Sequence, residues 1–163
     1  MNAVDFLARL RDVSARDATA TSSDDEEILI EGYKPVVPDG RYEARFMGHE
    51  TAVVFGSPKV FLHFQLVEHG PHMDTRLFRA YRVRRLVGRP GKSGKFVAHP
   101  QGELFGVLTR LLDVRLRKDR ISLAGLKAML FRVTTRTVTT NHRQQQIPEA
   151  VRYSVIDGIE RGE

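Results

Sequence analysis

Alternating apolar and polar side chains predict five β-strands in this chain. The segments are RYEARFMGHE from residue 41, KVFLHFQLV at 59–67, RLFRAYRV at 76–83, MLFRVTTRTVT at 129–139 and VRYSVI at 151–156. The second is the most regular: one face is apolar, and the other carries Phe61, His63 and Gln65. The third has two mixed faces, so the pattern leaves open whether Phe78 or Tyr81 points into the core.

A helical pattern follows the third strand. Pro100 and Glu103 mark its start, and its apolar stripe consists of Leu104, Phe105, Val107, Leu108, Leu111 and Leu112. The chain therefore runs through three strands, one helix and two strands. This order predicts a mainly β fold, a five-stranded Greek-key barrel of the OB type with the helix between strands three and four. Residues 32–160 form this predicted barrel domain.

Residues 1–31 differ in composition from the rest of the chain. They hold three Lys or Arg against eight Asp or Glu, a net charge of −5, whereas residues 32–163 hold 23 against 12, a net charge of +11. Helical spacing of apolar residues predicts an amphipathic helix over 2–13, followed by a linker over 14–27 that ends in the acidic run DDEE. This acidic segment could fold back on the basic domain or bind another protein, and a solvated linker is an equal alternative.

The third strand and its outgoing loop are strongly basic. Residues 76–95 contain eight Lys or Arg and no acidic residue, and Tyr81 and Phe96 accompany them. Such a concentration of charge repels itself, so it favours an anionic partner. Cations interleaved with rings suit single-stranded nucleic acid, because cations follow the phosphates while rings stack on bases. A solvated surface loop is the alternative.

Several segments resemble small single-stranded-DNA-binding proteins carried by phages and mobile elements. They are PDGRYEA, VFLHFQLVEHG, the helix with Leu108 and Leu112, and YSVIDGI, and the resemblance covers residues 33–160. It implies an OB fold and sequence-tolerant binding of single-stranded DNA during replication or recombination. The chain departs from the family in one respect, because many such proteins carry their acidic partner-binding tip at the C-terminus and not at the N-terminus.

The predicted site combines cations for phosphates with rings for bases. The predicted phosphate contacts are Arg79, Arg82, Arg84, Arg85, Arg89, Lys92 and Lys95. Arg132 and Arg136, on the outward face of the fourth strand, are predicted to extend this track on a neighbouring strand. The candidates for stacking or polar contact with bases are Phe61, His63, Tyr81 and Phe96.

Two other functions stay open at this point. An adaptor would bind a replication or recombination protein through residues 1–31 and use the barrel as a scaffold. A metal-dependent nuclease would need carboxylates such as Asp39, Glu43 and Glu50 to converge on a divalent ion. Stacking and phosphate contacts do not separate RNA from DNA. A second copy of the chain is a further candidate partner.

Composition and motif spacing argue against other classes of protein. The chain has no Cys, so it has no disulfide or thiolate metal site, and His69 and His72 are expected to be solvated turn residues. Gly91-Lys92-Ser93 resembles a phosphate-binding loop, but Leu86 stands where that motif requires glycine. The chain has neither a membrane-length apolar run nor a secretory signal. We therefore expect a non-catalytic, cytoplasmic protein that uses no cofactor and no membrane.

Overall fold

The five predicted strands and the predicted helix are all present in the computed structural model, which describes residues 34–112 and 122–163. The predicted helix over 2–13 and the acidic linker lie outside the described residues, and so does the adaptor hypothesis that depends on them. The elements are β1 (Arg41–Val54), β2 (Ser57–Leu66), β3 (Arg76–Arg82), β4 (Arg85–Val87), β5 (Gly91–Lys92), β6 (Lys95–Val97), α1 (Glu103–Leu112), β7 (Leu130–Val138) and β8 (Tyr153–Arg161). Single 3₁₀ turns cover Ala124–Ala128 and Glu149–Val151.

The main sheet is antiparallel, with the strand order β3-β2-β1-β7-β8. The helix α1 lies in the chain between β3 and β7, which are the third and fourth of the predicted strands. The predictions of a mainly β fold and of this element order are therefore confirmed. Backbone pairing among the described strands does not close the sheet into a barrel, and β3 and β8 are its two ends.

The first strand bends, and this lets it pair with different strands at its two ends. Residues Arg41–Arg45 pair with β7, whereas Glu50 and Thr51 pair with β5. Between these two regions, the register with β2 shifts at Phe46 and Gly48, and Gly48 has a φ of 139°. A bulge of this kind bends a strand and increases its twist. The bend therefore allows one strand to pair with β7 at one end and with β5 at the other.

The segment between β3 and α1 is a β-ribbon, whereas the sequence pattern predicts only an outgoing loop there. Strands β4 and β6 pair with each other, and the intervening β5 pairs with β1. The ribbon is thus held both along its length and at its tip.

The core lies between the inner face of the sheet and the helix. Val60, Leu62, Phe64 and Leu66 are each 0% exposed, as the alternation in β2 predicts. The helix contributes Leu104, Val107, Leu108 and Leu111, whereas Phe105 and Leu112 are half-buried. Each large apolar side chain buried in this way contributes about 1.5–3 kcal/mol to stability. In the centre, the Phe64 ring packs edge-on against those of Phe46 and Phe131, with centroids 5.6 Å apart in both pairs.

The region Pro35–Glu163 forms one compact unit. Its first residues are fixed against β8, because the backbone N–H of Ser154 donates to the Pro35 carbonyl oxygen over 3.0 Å. The Ser154 hydroxyl in turn accepts from the Val37 N–H over 2.8 Å. Within residues 34–112 and 122–163, no helix has both the length and the apolar character needed to cross a membrane.

Candidate functional site

The sheet formed by β5, β1, β2 and β3 turns one face away from the core, and we call it the outer face. Its residues form four cross-strand rows: Arg45, Gln65 and Arg76; Gly48, His63 and Phe78; Lys92, Glu50, Phe61 and Ala80; Ala52, Lys59 and Arg82. Neighbouring strands lie about 4.8 Å apart, so the side chains within a row are close neighbours. Five of these side chains are cationic: Arg45, Lys59, Arg76, Arg82 and Lys92.

Aromatic rings occupy the middle of the outer face. The Phe61 and Phe78 rings meet edge to face with centroids 5.4 Å apart, and the His63 ring lies 6.3 Å from that of Phe78. Tyr153, at the start of β8, stacks on Phe78 with centroids 6.4 Å apart. All four rings are half-buried. They form an aromatic surface with cations on either side, and the predicted residues Phe61 and His63 both belong to it.

Tyr81 does not belong to this surface, which corrects the prediction that its ring stacks on bases. On β3, Leu77 and Tyr81 share the inward face while Phe78 points outward. Tyr81 is 3% exposed and lies in the core, where burial raises the pKa of its phenol despite the nearby Arg79 charge. Phe78 takes the outward position that the mixed pattern of this strand left undecided.

Arg79 is also on the inward side of β3, and it is engaged by groups of the protein itself. Its Nη2 donates to Glu103 Oε1 over 2.7 Å, and its Nη1 donates to the Ile156 carbonyl oxygen over 3.3 Å. Nη1 also lies 3.6 Å from Asp157 Oδ1, and the guanidinium carbon lies 5.3 Å from the centre of the Tyr81 ring. The side chain is only 20% exposed. Arg79 therefore joins β3 to α1 and β8, and the prediction that it contacts phosphate is corrected.

The two arginines of β7 do not extend the outer face. The neighbours of β7 are β1 and β8, not β3, so the prediction of a neighbouring strand was wrong. Arg136 Nε donates to Asp157 Oδ1 over 3.2 Å, and this carboxylate also contacts Arg79. Arg132 lies directly opposite Glu43 on one side and Glu160 on the other. Both arginines thus face carboxylates on a different part of the sheet.

Phe96 packs on the side of the ribbon that faces the protein and does not join the outer face, and its role in base stacking stays a prediction. It is the cross-strand partner of Leu86, and both side chains pack against the core. The Phe96 ring also meets the His49 ring edge-on, with centroids 5.8 Å apart. The other side of the ribbon carries Arg85 and Lys95, which are exposed.

Hydrogen bonds to β1 fix the tip of the ribbon. The Ser93 N–H donates to the His49 carbonyl oxygen over 2.9 Å, and His49 Nε2 lies 2.8 Å from the Gly94 carbonyl oxygen. The Gly91 N–H donates to Thr51 Oγ1 over 3.2 Å. A Cβ added at Gly94 would overlap that same hydroxyl oxygen, so glycine is required there for close approach. The ribbon therefore presents its cations on a fixed support.

The remaining predicted cations are available for an external anion. They are all exposed, and they are Arg82, Arg84, Arg85, Arg89, Lys92 and Lys95. Within residues 34–112 and 122–163, no carboxylate lies within 4.0 Å of any of them. The basic stretch thus divides into one structural arginine, Arg79, and a set of solvated cations.

The hairpin between β1 and β2 carries an exposed ring that the sequence reasoning missed. Phe55 is 72% exposed and has a φ of 50°, and Gly56 follows with a φ of 72°. The Phe55 ring lies 4.3 Å, centroid to centroid, from that of His142 in the loop between β7 and β8. An aromatic residue immediately before the glycine of a tight turn was the available signal.

The carboxylates considered for a nuclease are dispersed. Asp39 accepts hydrogen bonds from the N–H and the hydroxyl of Thr137, both over 2.9 Å. Glu43 faces Arg132, and Glu50 Oε2 lies 3.5 Å from His63 Nε2. In the described part of the chain, no three His, Cys, Asp or Glu side chains are grouped as ligands for a metal ion.

No family model, curated protein or solved structure matches this chain.

Proposed function

We propose that this chain is a non-catalytic single-stranded-DNA-binding protein that uses an OB-type barrel. The outer face and the exposed side of the ribbon would form the binding surface. The resemblance in sequence suggests a role in replication or recombination of a phage or mobile element, in the cytoplasm. RNA as the ligand is a variant of the same proposal, because phosphate contacts and stacking serve both polymers.

The strand order supports the OB-type fold. A five-stranded barrel of this type has a helix after its third strand and brings its third and fifth strands together. In this chain, the end strands β3 and β8 contact each other through the Arg79 hydrogen bond to the Ile156 carbonyl and the Phe78–Tyr153 stack. The bent first strand, which pairs at both of its ends, fits the same architecture.

One observation carries the function: aromatic rings share the outer face of β2 and β3 with cations that have no carboxylate partner among residues 34–112 and 122–163. This is the face through which OB-type barrels bind oligonucleotides, together with the loops between strands one and two and between strands four and five. Here the corresponding loops hold Phe55 and His142, whose rings touch. Rings of this kind stack on a base only when the base is unpaired, which favours a single strand over a duplex.

The structure changes the set of residues that we propose for binding. The proposed phosphate contacts are Arg45, Lys59, Arg76, Arg82, Arg84, Arg85, Arg89, Lys92 and Lys95. The proposed base contacts are Phe55, Phe61, His63, Phe78, His142 and Tyr153. Tyr81, Phe96, Arg79, Arg132 and Arg136 are left out for the structural reasons given above.

A titration of labelled oligonucleotides tests this proposal. The single strand should bind more tightly than the matched duplex at both low and moderate salt. The logarithm of its affinity should fall with that of the salt concentration, with a slope of about −0.7 per phosphate neutralised. Equal binding of single strand and duplex, or affinity that does not change with salt, would overturn the proposal.

A further inference from the structure

Glu50 carries a negative charge on a surface whose other charged residues are cationic. Within the four cross-strand rows of the outer face, it is the one carboxylate, and five cations belong to the same rows. It lies in the third of these rows, between Lys92 on β5 and Phe61 on β2. Its side chain is 53% exposed. A negative charge at this point repels phosphate, so a surface that only followed the backbone would gain from losing it.

The Glu50 carboxylate also lies beside the aromatic rings. Its Oε2 lies 3.5 Å from His63 Nε2, and His63 is 35% exposed. His63 in turn lies beside Phe78, one of the rings proposed to stack on bases. Across β1 and β2, Glu50 is the direct partner of Phe61, the second of these rings. A base stacked on the aromatic surface therefore has its edge within reach of this carboxylate.

We propose that Glu50 reads the edge of one stacked base and selects guanine there, an inference that rests on the proposed function. A carboxylate only accepts hydrogen bonds. The unpaired guanine edge offers two adjacent donors, N1–H and the N2 amino group, which match the two carboxylate oxygens. Adenine, cytosine and thymine each offer one donor beside a lone-pair acceptor, which the carboxylate repels. Single-stranded bases expose these edges to protein side chains, and a well-formed bidentate contact gives clear discrimination.

Two neighbours of Glu50 would contact the same nucleotide or the carboxylate that reads it. The His63 ring lies beside one carboxylate oxygen, and Lys92 lies across from Glu50 for the phosphate of the same nucleotide. The rest of the outer face would tolerate any base, because stacking has little sequence preference. The expected behaviour is general binding of single strands with a preference for guanine at one position.

The test compares three thymidine oligonucleotides of equal length: one unmodified, one with isolated guanines and one with isolated adenines. The intact protein should bind the guanine-containing strand roughly five-fold or more tightly than the adenine-containing one. Glu50→Gln should abolish or reverse this preference, because an amide pairs one donor and one acceptor as adenine does. The control is Glu149→Gln, an exposed carboxylate in a 3₁₀ turn off the outer face, which should keep the preference.

Two outcomes separate this inference from the proposed function. If Glu50→Gln tightens binding to all three strands by the same factor, Glu50 is only a repulsive charge and the inference fails while DNA binding stands. Absence of a guanine preference in the intact protein has the same meaning. If the intact protein binds none of the oligonucleotides, the proposed function and the inference both fail.

Discussion

The Phe78 ring on β3 stacks on the Tyr153 ring on β8, with centroids 6.4 Å apart and planes 25° from parallel. These strands are the two ends of the hydrogen-bonded sheet and are not paired with each other. The contact between the two rings therefore extends the aromatic surface from β3 to β8. On the other side, Phe78 meets Phe61 of β2. The rings thus form a continuous surface over β2, β3 and β8, although β3 and β8 are not paired with each other through their backbones.

Replacing the central ring tests whether this surface stacks on bases. We expect Phe61→Leu to weaken single-strand binding about five-fold or more, because each stacked base contributes roughly 1–3 kcal/mol. A leucine keeps most of the apolar contact with Phe78, so the melting temperature should change little. Phe105→Leu, at a half-buried position on α1, is the control, and its affinity should match that of the unmodified protein in the same titration. Equal affinities for the two variants would contradict the proposed stacking.

The buried Tyr81 phenol predicts a pH dependence of stability. Burial raises its folded-state pKa above the unfolded value of about 10. The corresponding stabilisation is complete below about pH 10 and is lost as the pH rises through the folded-state pKa, because only the unfolded chain ionises readily. Tyr81→Phe removes this contribution and should leave DNA binding unchanged.

Urea unfolding of both proteins from pH 8 to 11 measures this difference. The free energy of unfolding of the unmodified protein should fall more steeply above pH 10 than that of Tyr81→Phe. Parallel curves would show that Tyr81 ionises equally easily in the folded and unfolded states.

The contact between Gly94 and Thr51 predicts that the ribbon depends on one glycine. A methyl group at Gly94 would overlap Thr51 Oγ1, so Gly94→Ala should displace the tip from β1 and weaken single-strand binding. Gly106→Ala is the matched control: its added Cβ meets open space on α1, and alanine in a helix is more stable than glycine by about 0.5–1 kcal/mol. Thermal unfolding and titration of both variants check this. Unchanged affinity in Gly94→Ala would mean that the ribbon tip does not take part in binding.

The Arg79 network predicts that this arginine serves stability. Arg79→Gln removes the hydrogen bond to Glu103, whereas Asp157 keeps that from Arg136; because Glu103 is 64% exposed, the expected cost in the free energy of unfolding is about 1–2 kcal/mol. Arg84→Gln, at an exposed site without an ion pair in the described chain, should change it by less than about 0.5 kcal/mol. Chemical unfolding compares the two. Similar small effects would show that the network contributes little.

The sequence predicted those parts of the fold in which one face of an element is clearly buried. In β2, strict alternation predicts Phe61 and His63 on the outward face, and both lie there. In β3, Leu77, Phe78 and Tyr81 make both faces partly apolar, and Arg79 lies inward only because distant carboxylates and a carbonyl oxygen satisfy it. Local periodicity contains no information about such partners.

The site was harder to predict than the fold, because it depends on strand register. Lys59, Arg76 and Arg82 become neighbours of the rings only through the pairing of β2 with β3. The sequence predicts Arg132 and Arg136 beside the third strand, but the order of strands in a sheet is not the order in the chain, and β7 lies between β1 and β8. The ribbon was missed because its strands are two or three residues long, which is too short for a pattern to show.

The central claim is that a single strand of DNA lies over the outer face, and salt-dependent titration of two matched double variants tests it most directly. Lys59→Gln with Arg82→Gln removes two charges from the outer face, and Lys127→Gln with Arg132→Gln removes two from elsewhere. The first pair should weaken binding and reduce the magnitude of the salt slope by about 1.4, whereas the second should leave the slope unchanged. Equal loss in both variants would mean that only the net charge matters, and it would contradict the proposed binding surface.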